Sequence, residues 1–210
     1  MKLQISFDMS SLENALAIAK DVEPYCDQFE IGSLMLYAHG AAAINSFRSS
    51  FPSKTIVADA KIIDRGAEAV ELMAQAGADW VTIMGGTSRN VIQTAARAAQ
   101  QYKVKLMIDL IDTAAHGQVA MESQALGVHA IVLHKPHDES DTTTFLDQWD
   151  LVKGNSKLPL FISASITRST IQHILALKPD GIIISGAITL SNNPAQEAEY
   201  FYNLCNNHAA

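Results

Sequence analysis

The sequence predicts a single (β/α)8 barrel, and three observations support this prediction. Eight short runs rich in Val, Ile and Leu recur along the 210 residues, and segments with helical periodicity separate them. Charged residues stand at the ends of several runs, which is where the active sites of such barrels lie. One strand-helix unit then takes about 26 residues, near the small end for this fold. We therefore expect one domain over residues 1–210.

Each apolar run is predicted as a strand of a parallel sheet, because strands buried on both faces read as nearly continuous apolar segments. The predicted strands are residues 3–8, 28–32, 55–61, 80–84, 105–110, 130–134, 160–163 and 181–185. The segments between them carry apolar residues at i, i+3 and i+4, the spacing of an amphipathic helix. The predicted helices are residues 12–22, 38–49, 67–76, 87–102, 116–125, 143–152, 169–177 and 195–205.

A doubly wound open sheet is the alternative arrangement of alternating strands and helices. Its dinucleotide-binding form carries a GxGxxG turn after the first strand. This chain has Phe7-Asp8-Met9-Ser10-Ser11 at that place. The barrel is therefore the preferred prediction.

Composition excludes several classes of function. A net charge of −7 and a pI near 5.4 would repel a polyphosphate backbone. Cys26 and Cys205 lack the spacing of a zinc site or a disulfide framework. No apolar stretch has the length of a signal peptide or a membrane span. We expect a cytoplasmic protein that acts on a small molecule, without a nucleic-acid or membrane partner.

Ionisable residues cluster at the predicted strand ends. They are Asp8, Glu30, Asp59, Lys61, Asp109 and His134. Burying an ion without a partner or a metal costs several kcal/mol. Together these residues predict a charged cavity at the mouth of the barrel.

The segment Asp59-Ala60-Lys61-Ile62-Ile63-Asp64 is the most specific of these signals. Residues two apart on a strand face the same side, so Asp59 and Lys61 are predicted to face the barrel interior, with Asp64 in the loop beyond. An ammonium between Asp59 and Asp64 can neutralise an anionic intermediate or carry a proton. The alternative is an ion pair that only supports the loop. The other strand-end charges favour the chemical role.

This DxKxxD pattern after strand three resembles the orotidine monophosphate decarboxylase superfamily. Within it, the sequence is most similar to the 3-hexulose-6-phosphate synthases and to their sister family, the 3-keto-L-gulonate-6-phosphate decarboxylases. The resemblance runs from Lys2 to about Ala198. It also rests on the opening MKLQISFD and on the blocks Phe29-Glu30-Ile31-Gly32, Ala76-Gly77-Ala78-Asp79-Trp80-Val81-Thr82 and Ile108-Asp109-Leu110-Ile111.

The resemblance implies a Mg²⁺-dependent lyase that binds a sugar phosphate and works as a homodimer. It implies that Glu30 and Asp59 bind Mg²⁺ and that Lys61 neutralises the oxygen of an enediolate. Carboxylates are hard oxygen ligands, which suit Mg²⁺. It also implies that His134 exchanges a proton beside the reacting carbons; the alternative for a strand-end histidine is a hydrogen bond to a backbone carbonyl.

Three further acidic residues receive roles from the resemblance. Asp8 would position the substrate and Lys61, and Asp64 would complete the site of a partner subunit. Asp109 ends strand five in the same charged group, and its Asp109-Leu110-Ile111 context is synthase-like, where the decarboxylases carry Glu. Gly85 after strand four is likewise synthase-like.

The phosphate is expected to bind after strands seven and eight, at Ser165, Gly186 and Ala187. Ala187 stands where the decarboxylases carry Arg, which again favours the synthase. Ala164 and Ser165 replace the family's two glycines, so a left-handed backbone there would be strained. Helix capping is the alternative role for Ser165. The loop at 135–144 also departs from the family pattern.

The leading functional hypothesis is therefore condensation of ribulose 5-phosphate with formaldehyde to give 3-hexulose 6-phosphate. The enzymatic alternative is decarboxylation of 3-keto-L-gulonate 6-phosphate through a similar enediolate. A non-catalytic sugar-phosphate-binding barrel is the alternative from another class. The retained strand-end charges argue against it.

Overall fold

The eight predicted strands close into one parallel barrel in chain order. The computed structural model describes residues 1–136 and 143–207, without the side chains of 143–146. The strands are β1 Lys2–Phe7, β2 Gln28–Ile31, β3 Thr55–Ile62, β4 Trp80–Met84, β5 Lys105–Asp109, β6 Ala130–His134, β7 Leu160–Ser163 and β8 Gly181–Ile184. Because β1 pairs with both β2 and β8, the sheet has no open edge. The predicted barrel is confirmed, and the open sheet is excluded.

Ten α-helices surround the strands in the described part of the chain. They are α1 Leu12–Val22, α2 Ser33–His39, α3 Ala41–Ser50, α4 Gly66–Gln75, α5 Arg89–Tyr102, α6 His116–Ser123, α7 Thr143–Asn155, α8 Ile171–Ala176, α9 Gly186–Thr189 and α10 Pro194–Asn207. The helix predicted over 38–49 corresponds to α3 and the last two residues of α2, and the first five residues of α2 were not predicted. Gly40, with φ 59° and ψ −150°, divides them in a conformation that favours glycine.

Side chains alternate along the strands between two cores. Leu3, Ile5 and Phe7 of β1 pack in the large apolar layer between strands and helices. A smaller apolar cluster fills the barrel interior, with Met107 and Phe161 among its members. This second cluster lies below the charged mouth, so the barrel is a packed core and not a pore.

In residues 1–136 and 143–207, no helix combines the length and the apolar character needed to cross a membrane.

Candidate active site

Four charged side chains from β3, β5 and β6 form a connected cluster at the C-terminal end of the barrel. The Lys61 ammonium lies 2.8 and 2.9 Å from the two oxygens of Asp59 and 3.1 Å from Oδ2 of Asp109. The same Oδ2 lies 2.8 Å from Nδ1 of His134. The structure therefore brings together four of the predicted residues: Asp59, Lys61, Asp109 and His134. Asp109 connects the other members, because it contacts both Lys61 and His134.

Asp109 is almost completely buried, with 2% of its surface exposed. Burial alone would raise its pKa, but His134, Lys61 and the Ile111 N–H outweigh that effect and lower the pKa. An ionised carboxylate only accepts hydrogen bonds, so His134 donates from Nδ1 and its Nε2 is the nitrogen left for proton exchange. Within residues 1–136 and 143–207, the partner of His134 Nδ1 is the Asp109 carboxylate and not a backbone carbonyl, the alternative that the sequence left open.

These carboxylates favour the charged forms of Lys61 and His134. Burial lowers the pKa of Lys61, but Asp59 and Asp109 outweigh it, so the pKa lies above its ordinary value. Burial likewise lowers the pKa of His134, and its hydrogen bond to Asp109 reverses the shift, so this pKa is also raised. The site can therefore hold a positive charge beside a developing anion.

Simple strand alternation does not explain how Asp59 and Lys61 converge. Ala58 pairs with Val81 and Ile62 pairs with Ile83, so β3 advances four residues where β4 advances two. Thr82 stands alone opposite this bulge, and Lys61 within it has φ 44°. The bulge re-aims the lysine, a common use of bulges near active sites.

Glu30 lies in the barrel interior on β2 and is 7% exposed. Gln4 donates its side-chain N–H to Oε2 of Glu30, and Gln28 donates its side-chain N–H to Oε1 of Gln4. Burial, together with the nearby charge of Asp59, raises the pKa of Glu30 to about 7. Two buried carboxylates that repel each other form a site whose charge a cation would balance.

The predicted Mg²⁺ ligands are chemically suited to that ion. No group of three or more His, Cys, Asp or Glu side chains within the described ranges is arranged to hold a metal. Mg²⁺ commonly binds through only one or two carboxylates and completes its shell with water and substrate oxygens. That Glu30 and Asp59 bind the ion in this way stays a prediction. Ser33 and Thr82, which donate to Asp59, fix the orientation of its carboxylate.

Asp8 and Asp64 lie outside the cluster around Lys61. Asp8 is exposed and accepts a hydrogen bond from the Leu34 N–H at the start of α2, 2.8 Å away. Asp64 is also exposed and accepts from the Arg65 N–H. The expectation that the ammonium lies between Asp59 and Asp64 is wrong, because the second carboxylate is Asp109. The cross-subunit role of Asp64 stays a prediction.

The residues predicted to bind phosphate lie in the loops after β7 and β8. Ser165 is exposed, while Gly186 and Ala187, at the start of α9, are half-buried. Neither Ala164 nor Ser165 has a left-handed backbone, so replacing glycines there causes no strain of that kind. Thr170, and not Ser165, is the cap residue of α8. Of the divergent loop at 135–144, residues 137–142 lie outside the described residues.

Sequence reasoning missed four polar residues that support the site. Gln4 and Gln28 hold Glu30, while Ser33 and Thr82 hold Asp59. Three of them, Gln4, Gln28 and Thr82, lie within buried strands. A polar residue inside an otherwise apolar run is the signal that could have found them, because a buried polar group requires a partner.

Comparison with known proteins adds a family match over almost the whole chain. The model of the "Orotidine 5'-phosphate decarboxylase / HUMPS family" matches residues 1–201. The 3-hexulose-6-phosphate synthase of Bacillus subtilis (strain 168) is 30% identical over 200 residues, covering 94% of this chain and 95% of that protein. The synthase of Mycobacterium gastri is also 30% identical over 200 residues, with coverage of 95% and 97%.

Solved structures agree with this match. The 3-hexulose-6-phosphate synthase from Salmonella typhimurium superimposes with a TM-score of 0.91 at 27% identity, covering 99% of this chain and 100% of that one. A KGPDC from Streptococcus mutans has the same TM-score of 0.91 at 23% identity, with coverage of 100% and 99%. At that identity the second likeness speaks for the fold alone.

Proposed function

Because the chain belongs to the orotidine 5'-phosphate decarboxylase / HUMPS family, we propose that it is an aldehyde-lyase of the 3-hexulose-6-phosphate synthase type. The proposed reaction condenses ribulose 5-phosphate with formaldehyde, through an enediolate, to give 3-hexulose 6-phosphate. The observation that carries the proposal is the Lys61 ammonium, held by the buried carboxylates of Asp59 and Asp109 beside His134. This arrangement suits an intermediate that gains negative charge on oxygen.

His134 is proposed to move the proton. Its Nε2 would take a proton from C1 of the keto sugar, and the C–H electron pair would become the C1–C2 double bond of the enediolate. C1 would then attack the formaldehyde carbon, and the imidazolium would return its proton to the former aldehyde oxygen. Asp109 supports both steps, because its contact at Nδ1 fixes the ring and stabilises the imidazolium.

Lys61 is proposed to neutralise the enediolate oxygen. Its ammonium carries three donors, and Asp59 and Asp109 already orient it. A preorganised donor of this kind acts on the transition state without reorganisation during the reaction. Lys61 would therefore contribute chiefly to kcat.

Mg²⁺ is the proposed cofactor, with Glu30 and Asp59 as its protein ligands. When bound, the ion would polarise the substrate carbonyl as a Lewis acid. Gln4 donates to Oε2 of Glu30 and orients this carboxylate for the proposed ligand role. The proposed phosphate contacts are Ser165, Gly186 and Ala187.

We propose a homodimer in which Asp64 completes the partner's site. Large apolar side chains at the same end of the barrel support it: Leu34 and Tyr37 on α2 and Ile63 beside Asp64 are 53%, 78% and 67% exposed. Exposed apolar groups of this size are typical of surfaces that another chain covers.

Decarboxylation of 3-keto-L-gulonate 6-phosphate is the second candidate, because it would use a similar enediolate. Ala187 at the start of α9 disfavours it, since this side chain cannot supply the charge of the arginine that the sister family carries there. A non-catalytic sugar-phosphate-binding barrel is disfavoured by the connected charges around Lys61.

Incubation with ¹³C-formaldehyde tests the proposal directly. With ribulose 5-phosphate and Mg²⁺, ¹³C NMR should detect a new carbon–carbon bond in the six-carbon product. A parallel incubation with 3-keto-L-gulonate 6-phosphate should release little CO2. Faster decarboxylation than condensation would favour the sister activity, and no turnover of either substrate would favour the binding barrel.

A further inference from the structure

We propose that Thr82 is a positioning residue that holds Lys61 in the backbone conformation from which its ammonium reaches both Asp59 and Asp109. The predicted kinetic effect rests on the proposed function, whereas the predicted effect on the geometry does not. The inference begins from Lys61, which has φ 44° although it is not glycine.

The strained backbone of Lys61 needs a partner that stabilises it. A residue other than glycine is strained in the left-handed region and persists there only where its surroundings impose it. Lys61 could relax to a negative φ, as an ordinary strand residue does, but its Cα–Cβ bond would then point elsewhere. Its ammonium would leave the position between the two carboxylates.

Thr82 supplies a contact that opposes this relaxation. Its Oγ1 accepts a hydrogen bond from the Lys61 N–H and donates one to Oδ1 of Asp59, both at 2.9 Å. Thr82 is 2% exposed, so water competes little for either bond. One hydroxyl thus fixes the backbone of the lysine and the carboxylate that the lysine contacts.

The register of the sheet explains why this position can act on both residues. Asp59, Ala60 and Lys61 together stand opposite Thr82 alone, between the pairs Ala58–Val81 and Ile62–Ile83. The bulge therefore brings the Asp59 side chain and the Lys61 N–H to the same hydroxyl. A hydroxyl can donate and accept at once, which a methyl group of the same shape cannot do.

Three variants test the inference. Thr82→Val keeps the shape and removes the hydroxyl, whereas Thr82→Ser keeps the hydroxyl. Thr113→Val is the matched control: Thr113 is also buried, but its hydroxyl finds no hydrogen-bond partner in the part of the chain that the structure describes. Crystal structures of the variants and steady-state kinetics with ribulose 5-phosphate, formaldehyde and Mg²⁺ are the two readouts.

Thr82→Val should lower kcat about 10²-fold with a much smaller change in KM, the scale of an approximately 1 Å misplacement of a catalytic group. Its crystals should contain Lys61 with a negative φ and an ammonium displaced from Asp109, out of hydrogen-bond reach. Thr82→Ser should retain both contacts and most of the activity, and Thr113→Val should behave as the wild type. Thr82→Ala replaces Thr82→Val if that variant does not fold.

An unchanged Lys61 conformation in Thr82→Val crystals would overturn the inference, as would equal kcat values for the Val and Ser variants. A wild-type protein that turns over neither sugar phosphate contradicts the proposed function instead. In that case the crystal structures still decide whether Thr82 holds Lys61.

Discussion

Replacing Lys61 by Ala and, separately, by Gly separates its chemical role from its structural one. Both variants remove the ammonium. They differ at the backbone, because Gly adopts φ near 44° without strain and Ala does not. The two variants should therefore lose activity alike and lose stability unequally.

The expected loss of stability follows from the contacts that Lys61 leaves behind. Removing one partner of a buried ion pair typically costs about 3–5 kcal/mol. Asp59 keeps its bonds from Ser33 and Thr82, and Asp109 keeps those from His134 and Ile111. The Ala variant should thus fall at the low end, about 3 kcal/mol below the wild type. The Gly variant should recover about 1 kcal/mol, since the left-handed strain is gone.

Both variants should also lose activity in their folded fraction. A residue with a purely structural role would change stability but leave kcat of the folded protein nearly normal. Removing one preorganised electrostatic group lowers kcat about 10²–10³-fold, and both variants should fall in that range with a small change in KM. Urea unfolding and the condensation assay measure the two effects on the same preparations. Lys61→Arg should not restore kcat, because a planar guanidinium replaces a compact ammonium. Near-normal kcat in the folded fraction of Lys61→Ala would remove Lys61 from the mechanism.

The remaining predictions concern proton exchange, the metal and the dimer. His134 must be neutral to act as a base, and its hydrogen bond to Asp109 raises its pKa above the ordinary 6.5. The rate of condensation should therefore rise with pH through that raised pKa. Asp109→Asn should move this acidic limb of the kcat/KM profile to lower pH. An unmoved limb would assign it to another group. Rigorous chelation should abolish activity, Mg²⁺ should restore it and Zn²⁺ should not be required; full activity without metal would exclude the proposed cofactor. Glu30→Gln should weaken Mg²⁺ binding measured by calorimetry by about 10-fold or more, and equal affinity would move the ligand role elsewhere. Sedimentation at micromolar concentration should give a dimer. Mixing inactive Asp64→Asn with inactive Lys61→Ala should restore partial activity, because one site of the mixed dimer then has both residues. A fully active monomer of 22.7 kDa would contradict the shared site.

The sequence was sufficient to predict the barrel because its strands are buried on both faces. All eight predicted strands exist, with ends that differ by at most one residue. The break at Gly40 was missed, because the apolar spacing around it fits one helix as well as two. The short helix α9 was missed as well, since four residues carry no periodicity.

The sequence predicted the four residues of the charged cluster around Lys61, but not the contacts among them. Spacing along the chain placed Asp64 beside Lys61, whereas the structure pairs Lys61 with Asp109, 48 residues away. The bulge in β3 causes this difference, and its register is set by pairing with β4, which sequence spacing does not reveal. Thr82 and Gln4 were passed over for a related reason: a polar residue in an apolar run reveals that it needs a partner, but not which partner.

Asp109 offers a single oxygen, Oδ2, to both Lys61 and His134. The ammonium and the imidazole N–H therefore share the same negative charge while no substrate anion is present. In the proposed mechanism, the ammonium neutralises negative charge that develops on an enediolate oxygen. More of the charge on Oδ2 would then be left to the imidazolium, and His134 would be a stronger base while it carries the abstracted proton. The proton would then be retained until formation of the carbon–carbon bond removes the negative charge from the enediolate. A shared oxygen atom would in this way time the proton transfer to the chemistry of the carbon skeleton, with no movement of the backbone.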